Sequence, residues 1–382
     1  MGDIARAHGE GFKRQHALTE AQRKVLRAVS ACRTEVLGGR VDVCAQCGDE
    51  KVVFHSCRNR HCPQCQALTQ ARWMEGRLAR LLPVDYLLAG LALRNREVFF
   101  DALFQAGSQT LLALGADERR LGGQLGLTAV LHTWTRDLRF HPHLHCIVTG
   151  GGLTPDGTRW KASKQDYLFP VSVLSKLFRG KLVAALDEAY RAERLQLRDV
   201  EGFGGDVPDD EAWRRLRRKL YRTKWVSYAK PPFAGPESVY QYLGRYTHRV
   251  GLSNHRLVSA TDEAVTFRTR GEQTATLHPH EFLRRFLLHV LPGGFVKLRH
   301  YGLMAPGNVN TRLAAARAVL QAGWPTPAPA PTTTPAATQV PEVPGWRELL
   351  LRLTGFDVTR CQKCGGLLSS RPLPHVPPRD TS

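Results

Sequence analysis

The chain has 382 residues, 42 % of them hydrophobic, which is enough to bury a sizeable core and excludes a disordered tail. Lysine and arginine number 54 against 34 acidic residues, and the resulting formal charge of +20 favours nucleic acid as a partner. The sequence lacks an uncharged apolar run of the roughly eighteen residues that a membrane helix needs, and its first residues lack a hydrophobic signal core. Composition therefore argues against membrane and secreted proteins and predicts a cytoplasmic one.

The predicted elements mix helices and strands without regular βαβ spacing. Helical patterns cover residues 1 to about 40, 66–82 (ending before Pro83), 95–115, about 171–195, 237–249 and about 279–290. Apolar runs predict strands at 84–93, 125–134, 141–152, 223–230, near 256–260 and at 263–269. The second and third of these strands are joined by a short polar link, so we expect them to pair antiparallel. Together the patterns predict an α+β fold around an antiparallel sheet flanked by helices.

A cysteine cluster follows the first helices. Cys44-x2-Cys47 and Cys62-x2-Cys65 form two knuckles separated by fourteen residues. Two such turns can present four thiolates to one tetrahedral zinc, which replaces the core that so short a segment lacks. We therefore predict one structural Zn2+ bound by these four cysteines. Three further residues of the segment either replace a ligand, hold a second ion or are ordinary basic-loop residues: Cys57, His55 and His61.

The remaining cysteines give weaker patterns. Cys361-x2-Cys364, followed by two glycines, has the form of half a zinc ribbon, with only His375 as an evident further ligand. An inert site, or one completed by a partner, is an equally good interpretation. Cys32 and Cys146 have no spaced partners, so we expect each to be a buried structural thiol.

Three histidines alternate along the predicted strand at 141–152. Because side chains alternate between the faces of a strand, His141, His143 and His145 point the same way. Two imidazoles two positions apart can chelate a divalent cation and leave coordination positions open for a phosphate oxygen. The alternative is a polar, solvated strand face.

A tyrosine pair lies in the helix predicted at 237–249. Tyr242 and Tyr246 are four positions apart and so share one helix face. Beside a metal ion that withdraws charge from a phosphate, a tyrosine oxygen can attack and become covalently attached. Aromatic residues at this spacing more often only pack in a core.

A basic stripe occupies residues 213–225, with Trp213, Tyr221 and Trp225 among its cations. Cations neutralise phosphates, and aromatic rings offer faces on which bases stack, so the stripe is suited to single strands. The alternative is a solvated helix face with two tryptophans in the core. The predicted DNA-binding residues are Arg214, Arg215, Arg217, Arg218, Lys219, Arg222 and Lys224.

The motifs HPHLHC, YLGRY and CRNRHCPQCQ together resemble the rolling-circle, two-tyrosine HUH transposases of the insertion-sequence ninety-one family, over about residues 15–312. The resemblance implies an antiparallel HUH-nuclease-like sheet flanked by helices and an amino-terminal zinc-binding domain. It implies that His143 and His145 bind a catalytic Mg2+ or Mn2+, and that Tyr242 and Tyr246 are the nucleophiles. The third metal ligand is open among His141, Asp137 and Gln241.

By the same resemblance, the expected function is transposition. The protein would nick single-stranded element ends and target DNA through a 5′-phosphotyrosine intermediate, in association with the bacterial nucleoid. The alternatives are a zinc-finger regulator without nuclease activity and a plasmid or phage replication initiator. The predicted domains are a zinc-binding, DNA-binding domain at 1–82, a nuclease domain at 83–312, a proline-rich linker at 325–345 and a small tail at 346–382.

Overall fold

A computed structural model describes residues 1–65, 80–83, 88–164, 168–197, 209–223, 225, 252–269, 272–322, 351 and 357–373. Its principal helices are α1 (Gly2–Gln15), α2 (Glu20–Ala31), α3 (Ala89–Arg94), α4 (Arg96–Ala116), α5 (Val171–Arg191), α6 (Asp209–Arg222), α7 (Pro279–Leu287) and α8 (Arg312–Ala322). Its strands are β1 (Gly39–Cys44), β2 (Glu50–Phe54), β3 (Arg80–Pro83), β4 (Gly126–Trp134), β5 (Phe140–Val148), β6 (Gly151–Leu153), β7 (Trp160–Ala162), β8 (Leu257–Ala260), β9 (Val265–Arg268), β10 (Thr274–Leu277), β11 (Leu298–Gly302) and β12 (Leu368–Pro372). None of the helices described is both long and apolar enough to cross a bilayer.

The chain divides into two compact units. The first comprises Met1–Trp73, His248–Val290 and Ala328–Ser382, and the second comprises Met74–Thr247 and Leu291–Pro327. Each unit therefore contains segments that are far apart in sequence.

Among its described residues, the first unit contains two small antiparallel sheets and the helices α1, α2 and α7. One sheet has the order β12-β1-β2, and the other has the order β10-β9-β8. Helix α1 packs on α2 and α7 and buries Phe12 completely. Helix α2 begins with a capping box in which Thr19 and Gln22 satisfy each other's backbone amides, and the Gln22 side chain also donates to the carbonyl of Leu287 in α7.

The second unit is built on a four-stranded antiparallel sheet of order β11-β4-β5-β3. Strand β4 is buried along nearly its whole length, and helix α4 packs on β4 and β5. Helix α4 in turn packs extensively on α5, and α4 buries Phe99, Phe100 and Leu103. The centre of this sheet is therefore a rigid, water-excluding support for the side chains of β4 and β5.

The predicted α+β class is confirmed, as is the antiparallel pairing of the two strands at 125–134 and 141–152. Two local predictions are wrong. Residues 80–82 belong to strand β3 rather than to a helix, and the strand predicted at 84–93 contains α3 instead. The apolar run in α3, AGLALR, consists of strong helix formers, and a short apolar run does not distinguish a buried helix from a strand.

The two compact units divide the chain differently from the predicted domains. In the described part of the tail, β12 pairs with β1 and so completes the sheet of β1 and β2. The 83–312 block is divided too, since His248–Val290 belongs with the amino-terminal unit. The predicted tyrosine helix at 237–249 and the linker at 325–345 lie outside the described residues. Of the strand predicted at 223–230, only residues 223 and 225 are described, and neither is in a strand.

Candidate metal centres and nucleic-acid interface

Three histidines converge on the two central strands of the second unit. His143 and His145 lie on β5, and His132 lies on β4 directly opposite His143. One ring nitrogen from each residue lies within 4.8 Å of the other two, and Nε2 of His143 is 3.1 Å from Nε2 of His145. We call His132, His143 and His145 the histidine cluster.

Burial and hydrogen bonding fix how these rings can act. His132 and His145 are 2 % and 3 % exposed, and the His132 ring stacks on Trp134. Nδ1 of His143 lies 2.7 Å from the carbonyl oxygen of His141, so Nδ1 carries the donating hydrogen and Nε2 offers its lone pair. Burial lowers the pKa of His143 to about 4, which keeps the imidazole neutral near pH 7. A neutral imidazole with a free Nε2 lone pair is the form that binds a metal ion.

The three predicted strand histidines do share one face, since the ring centroids of His141 and His143 are 5.2 Å apart. The third member of the cluster is nevertheless His132 and not His141. Asp137 is not a member of the histidine cluster either. Its carboxylate accepts hydrogen bonds from Thr135 and from Arg139. Gln241, Tyr242 and Tyr246 lie outside the described residues.

Sequence reasoning missed His132 because its role depends on strand register. The residue lies in a run that was recognised as a strand, but its ring meets that of His143 only through the pairing of β4 with β5. Once that hairpin is predicted, a histidine on the neighbouring strand is the signal to look for.

The cysteines form two clusters rather than one. Cys32, Cys57, Cys62 and Cys65 make up the amino-terminal cluster, and Cys44, Cys47, Cys361 and Cys364 make up the end-to-end cluster. The ligand sulfurs within each cluster lie within 4.8 Å of one another. The prediction that Cys44, Cys47, Cys62 and Cys65 share one zinc is therefore wrong, because each knuckle joins a different set.

Other cysteine predictions change accordingly. Cys57 is a member of the amino-terminal cluster, with its sulfur 3.5 Å from that of Cys65. Cys32 is buried as expected but is not isolated, since its sulfur lies 3.6 Å from that of Cys62. Cys146 is a buried thiol, and burial raises its pKa to about 12. His55 and His61 are in neither cluster.

The basic stripe forms the amphipathic helix α6. Arg214 and Arg218 are exposed, as are Arg215, Lys219 and Arg222, whereas Trp213 and Trp225 are buried. The Trp213 indole donates to the Asp187 carboxylate, and the Trp225 indole donates to the Leu220 carbonyl. Both tryptophans therefore pack in the core and offer no face to bases; the exposed aromatic ring of the described stripe is Tyr221. Lys224 lies outside the described residues.

The exposed face of α6 lines a concave surface with Glu211, Arg214, Arg217, Arg218, Tyr221 and Arg222. Two arginines of the stripe are partly neutralised, Arg215 by Glu211 and Arg217 by Asp187. Arg214 and Arg218 are in no ion pair among the described residues. The concavity thus combines positive charge with one aromatic ring, the combination that binds phosphates and stacks bases.

Comparison with known proteins matches two segments of the chain to transposase families. Residues 4–93 match the family described as "Transposase zinc-binding domain", and residues 126–312 match the family described as "Putative transposase". The chain is 42 % identical over 381 residues to "Putative transposase y4qJ" of Sinorhizobium fredii, covering 95 % of this chain and 92 % of that protein. It is 25 % identical over 328 residues to "Transposase for insertion sequence element IS801" of Pseudomonas savastanoi pv. phaseolicola, covering 82 % and 77 %. No solved structure matches the chain significantly.

These similarities define a DNA transposase with a zinc-binding domain. The chain belongs to the insertion-sequence ninety-one family of transposases. Membership implies that the protein cuts and transfers DNA strands, and its zinc-binding domain contains cysteine ligands for structural zinc.

Proposed function

We propose that the protein transposes its element as a metal-dependent single-strand nuclease, with the histidine cluster as its divalent-cation site. The observation that carries the proposal is the convergence of His132, His143 and His145 on two buried, paired strands. The family resemblance adds Tyr242 and Tyr246 as nucleophiles. The convergence also argues against the regulator alternative, because a DNA-binding regulator has no need of three metal-ligating imidazoles at the centre of its sheet.

The cluster fits a divalent cation. Two ligands at right angles, each about 2.1 Å from an octahedral ion, are about 3.0 Å apart. The Nε2 atoms of His143 and His145 are 3.1 Å apart. A cation held there would polarise a phosphate oxygen of bound DNA and stabilise the charge that develops in the transition state.

The protein's own residues would then carry out the strand exchange. The phenol oxygen of Tyr242 or Tyr246 forms a bond to phosphorus as it loses its proton, and the bond from phosphorus to the 3′ oxygen breaks. That oxygen takes up a proton, which leaves a free 3′-hydroxyl and a 5′-phosphotyrosine. Two tyrosines allow a second transfer of the same kind without an external nucleophile.

A denaturing-gel assay with labelled single-stranded DNA from the element's own end tests this proposal. In the presence of Mn2+ or Mg2+ we expect a DNA-linked protein band that chelator abolishes. The band should also disappear with His143→Ala and with the double change Tyr242→Phe/Tyr246→Phe. Retained DNA binding without a covalent band under any metal would favour the regulator instead, and cleavage confined to a plasmid or phage origin would favour the initiator.

A matched pair of variants identifies the third ligand. His132→Ala should abolish the covalent band, because it removes one of the three converging imidazoles. His141→Ala should retain it, because His143 bonds to the backbone carbonyl of residue 141 and not to its side chain. The reverse result would restore His141 as the third ligand.

The donor set also predicts a metal preference. All three ligands of the histidine cluster are imidazole nitrogens, whereas Mg2+ prefers oxygen ligands. We therefore expect Mn2+ to support band formation at a lower concentration than Mg2+. Titration of each metal in the gel assay measures this difference, and equal half-maximal concentrations would contradict it.

We further propose that the concave face of α6 binds the phosphates of single-stranded DNA. Arg214→Ala/Arg218→Ala removes two exposed cations and should reduce the slope of log affinity against log salt by about 2. The double change Lys176→Ala/Lys181→Ala on α5 removes the same charge elsewhere and serves as the control. If the two variants have the same slope, α6 has no special part in binding.

A further inference from the structure

The end-to-end cluster is built from two equivalent turns. Each has the sequence Cys-x-x-Cys-Gly, namely CAQCG at 44–48 and CQKCG at 361–365. In both turns the glycine amide donates to the carbonyl of the first cysteine, at 3.0 Å for Gly48 and 2.9 Å for Gly365. Both glycines have positive φ, 72° and 76°, which favours glycine over other residues. The backbone of each turn is therefore shaped in the same way around its two sulfurs.

Strand pairing holds the two turns against each other. Strand β12 pairs antiparallel with β1, so that Cys44 lies opposite Leu368. Beyond that pair, the amide of Ala45 donates to the carbonyl of Leu367 at 3.1 Å. The amide of Cys361 donates to the carbonyl of Gly366, which places the carboxy-terminal turn at the end of β12 nearest Cys44.

Side-chain contacts reinforce this pairing. Lys363 lies within the second turn and its ammonium is 2.5 Å from the carboxylate of Asp49, just beyond the first. The hydroxyl of Ser370 on β12 donates to Asp42 on β1. Arg371 and Glu50 form a further ion pair between β12 and β2. The four cysteines are thus brought together by a complete sheet and not by a chance approach of two loops.

The spacing of the sulfurs fits tetrahedral zinc. With Zn–S bonds of about 2.3 Å, neighbouring sulfurs of a four-thiolate site are about 3.8 Å apart. The sulfur of Cys44 is 3.4 Å from that of Cys364, and the sulfur of Cys47 is 3.7 Å from that of Cys361. All nine cysteines are free thiols, so no disulfide links the four sulfurs. A metal ion bound by all four would explain why they lie so close together.

We propose that the end-to-end cluster is a second structural zinc site, which ties the carboxy-terminal segment to the amino-terminal domain. The amino-terminal cluster supplies a complete set of four cysteines within residues 4–93, the part that matches the zinc-binding family. Cys44 and Cys47 supply only half of the other set, and Cys361 and Cys364, far outside that part, supply the rest. The protein then binds two zinc ions where its amino-terminal knuckles alone predicted one. This proposal does not depend on the nuclease activity proposed above.

Zinc content of the purified full-length protein, measured by inductively coupled plasma mass spectrometry, tests the proposal. We expect Cys361→Ser/Cys364→Ser to contain one zinc ion fewer per chain than the unaltered protein. The buried Cys146 belongs to neither cluster, so Cys146→Ala should lose no zinc and controls for the loss of a cysteine. Fewer than two zinc ions in the unaltered protein, or no loss of zinc in Cys361→Ser/Cys364→Ser, would overturn the proposal.

A measurement on the unaltered protein covers the case in which the double variant does not fold. Alkylation with iodoacetamide, read by mass spectrometry, should leave Cys44, Cys47, Cys361 and Cys364 protected in the zinc-loaded protein. This protection would include Cys47 and Cys364, although both are exposed to solvent. After removal of zinc by a chelator, all four cysteines should become reactive together. Rapid alkylation of Cys361 and Cys364 in the zinc-loaded protein would show that they bind no metal.

Discussion

The cysteine clusters and the histidine cluster assemble their ligands in opposite ways. The histidine cluster takes three side chains from two neighbouring strands, on a sheet that helix α4 already covers with apolar residues. The end-to-end cluster joins two turns that are more than three hundred positions apart, in a small three-stranded sheet. In the first case the fold alone positions the side chains, whereas in the second the proposed zinc ion would help to hold the fold. The two proposed kinds of metal site should therefore respond differently to loss of metal.

Removal of zinc should have the largest effect on stability, and it tests directly whether the two kinds of site differ. Structural zinc in small domains binds with about 10–16 kcal/mol, which is also folding free energy. After chelation we expect β1, β2 and β12 to lose amide protection while β4 and β5 keep theirs. Hydrogen exchange read by mass spectrometry measures both regions in one sample. Equal loss in β4 and β5 would mean that zinc supports the whole chain.

A cavity in the apolar core should give the converse result. Leu103 in α4 is fully buried, and Leu103→Ala should destabilise the second unit by about 2–5 kcal/mol without changing zinc content. Denaturant-dependent hydrogen exchange in β4 and β5 measures the change. Leu320→Ala, at a residue 39 % exposed on α8, is the control and should cost less than about 0.5 kcal/mol. Loss of zinc from Leu103→Ala would show that zinc binding by the cysteine clusters depends on the apolar core of the second unit.

Backbone strain at one turn should give the smallest of the three effects and sharpen the comparison. A side chain at Gly365 would meet no atom within 4 Å, so Gly365→Ala adds only the strain of positive φ, about 1–2 kcal/mol. This strain corresponds to an affinity for one zinc ion that is about tenfold lower, which competition with a chromogenic chelator measures. Gly150→Ala, also in open space but without positive φ, is the control and should leave both zinc ions unaffected. No difference between the two variants would mean that the turn at 361–365 does not bind metal.

The parts of the fold that could be predicted are those whose signals are local. Helix α4 and strands β4 and β5 followed from apolar spacing, and the hairpin between the strands followed from a short polar link. The common face of His141, His143 and His145 followed from alternation along one strand. These features need only neighbouring residues, so the sequence contains all the information that determines them.

The parts that could not be predicted depend on contacts between distant segments. From the sequence, the turn at Cys44 and Cys47 could share a zinc ion equally well with the turn at Cys62 and Cys65 or with the turn at Cys361 and Cys364, since any two CxxC turns can do so. Only the pairing of β1 with β12 decides between them. The glycine that follows Cys47 and also follows Cys364, but does not follow Cys65, was the signal that matched the correct two turns. His132 likewise required a strand register that composition does not give.

The pairing of β1 with β12 also bears on how the protein is made. Strand β1 is the central strand of its sheet, between β2 and β12. Strand β12 is translated long after β1, since Cys44 at the end of β1 and Cys364 just before β12 are 320 positions apart. During synthesis the β12-facing edge of β1 is therefore unpaired while the whole histidine-bearing sheet emerges from the ribosome. The sheet of β1, β2 and β12 therefore closes only after the strands of the histidine-bearing sheet have been translated.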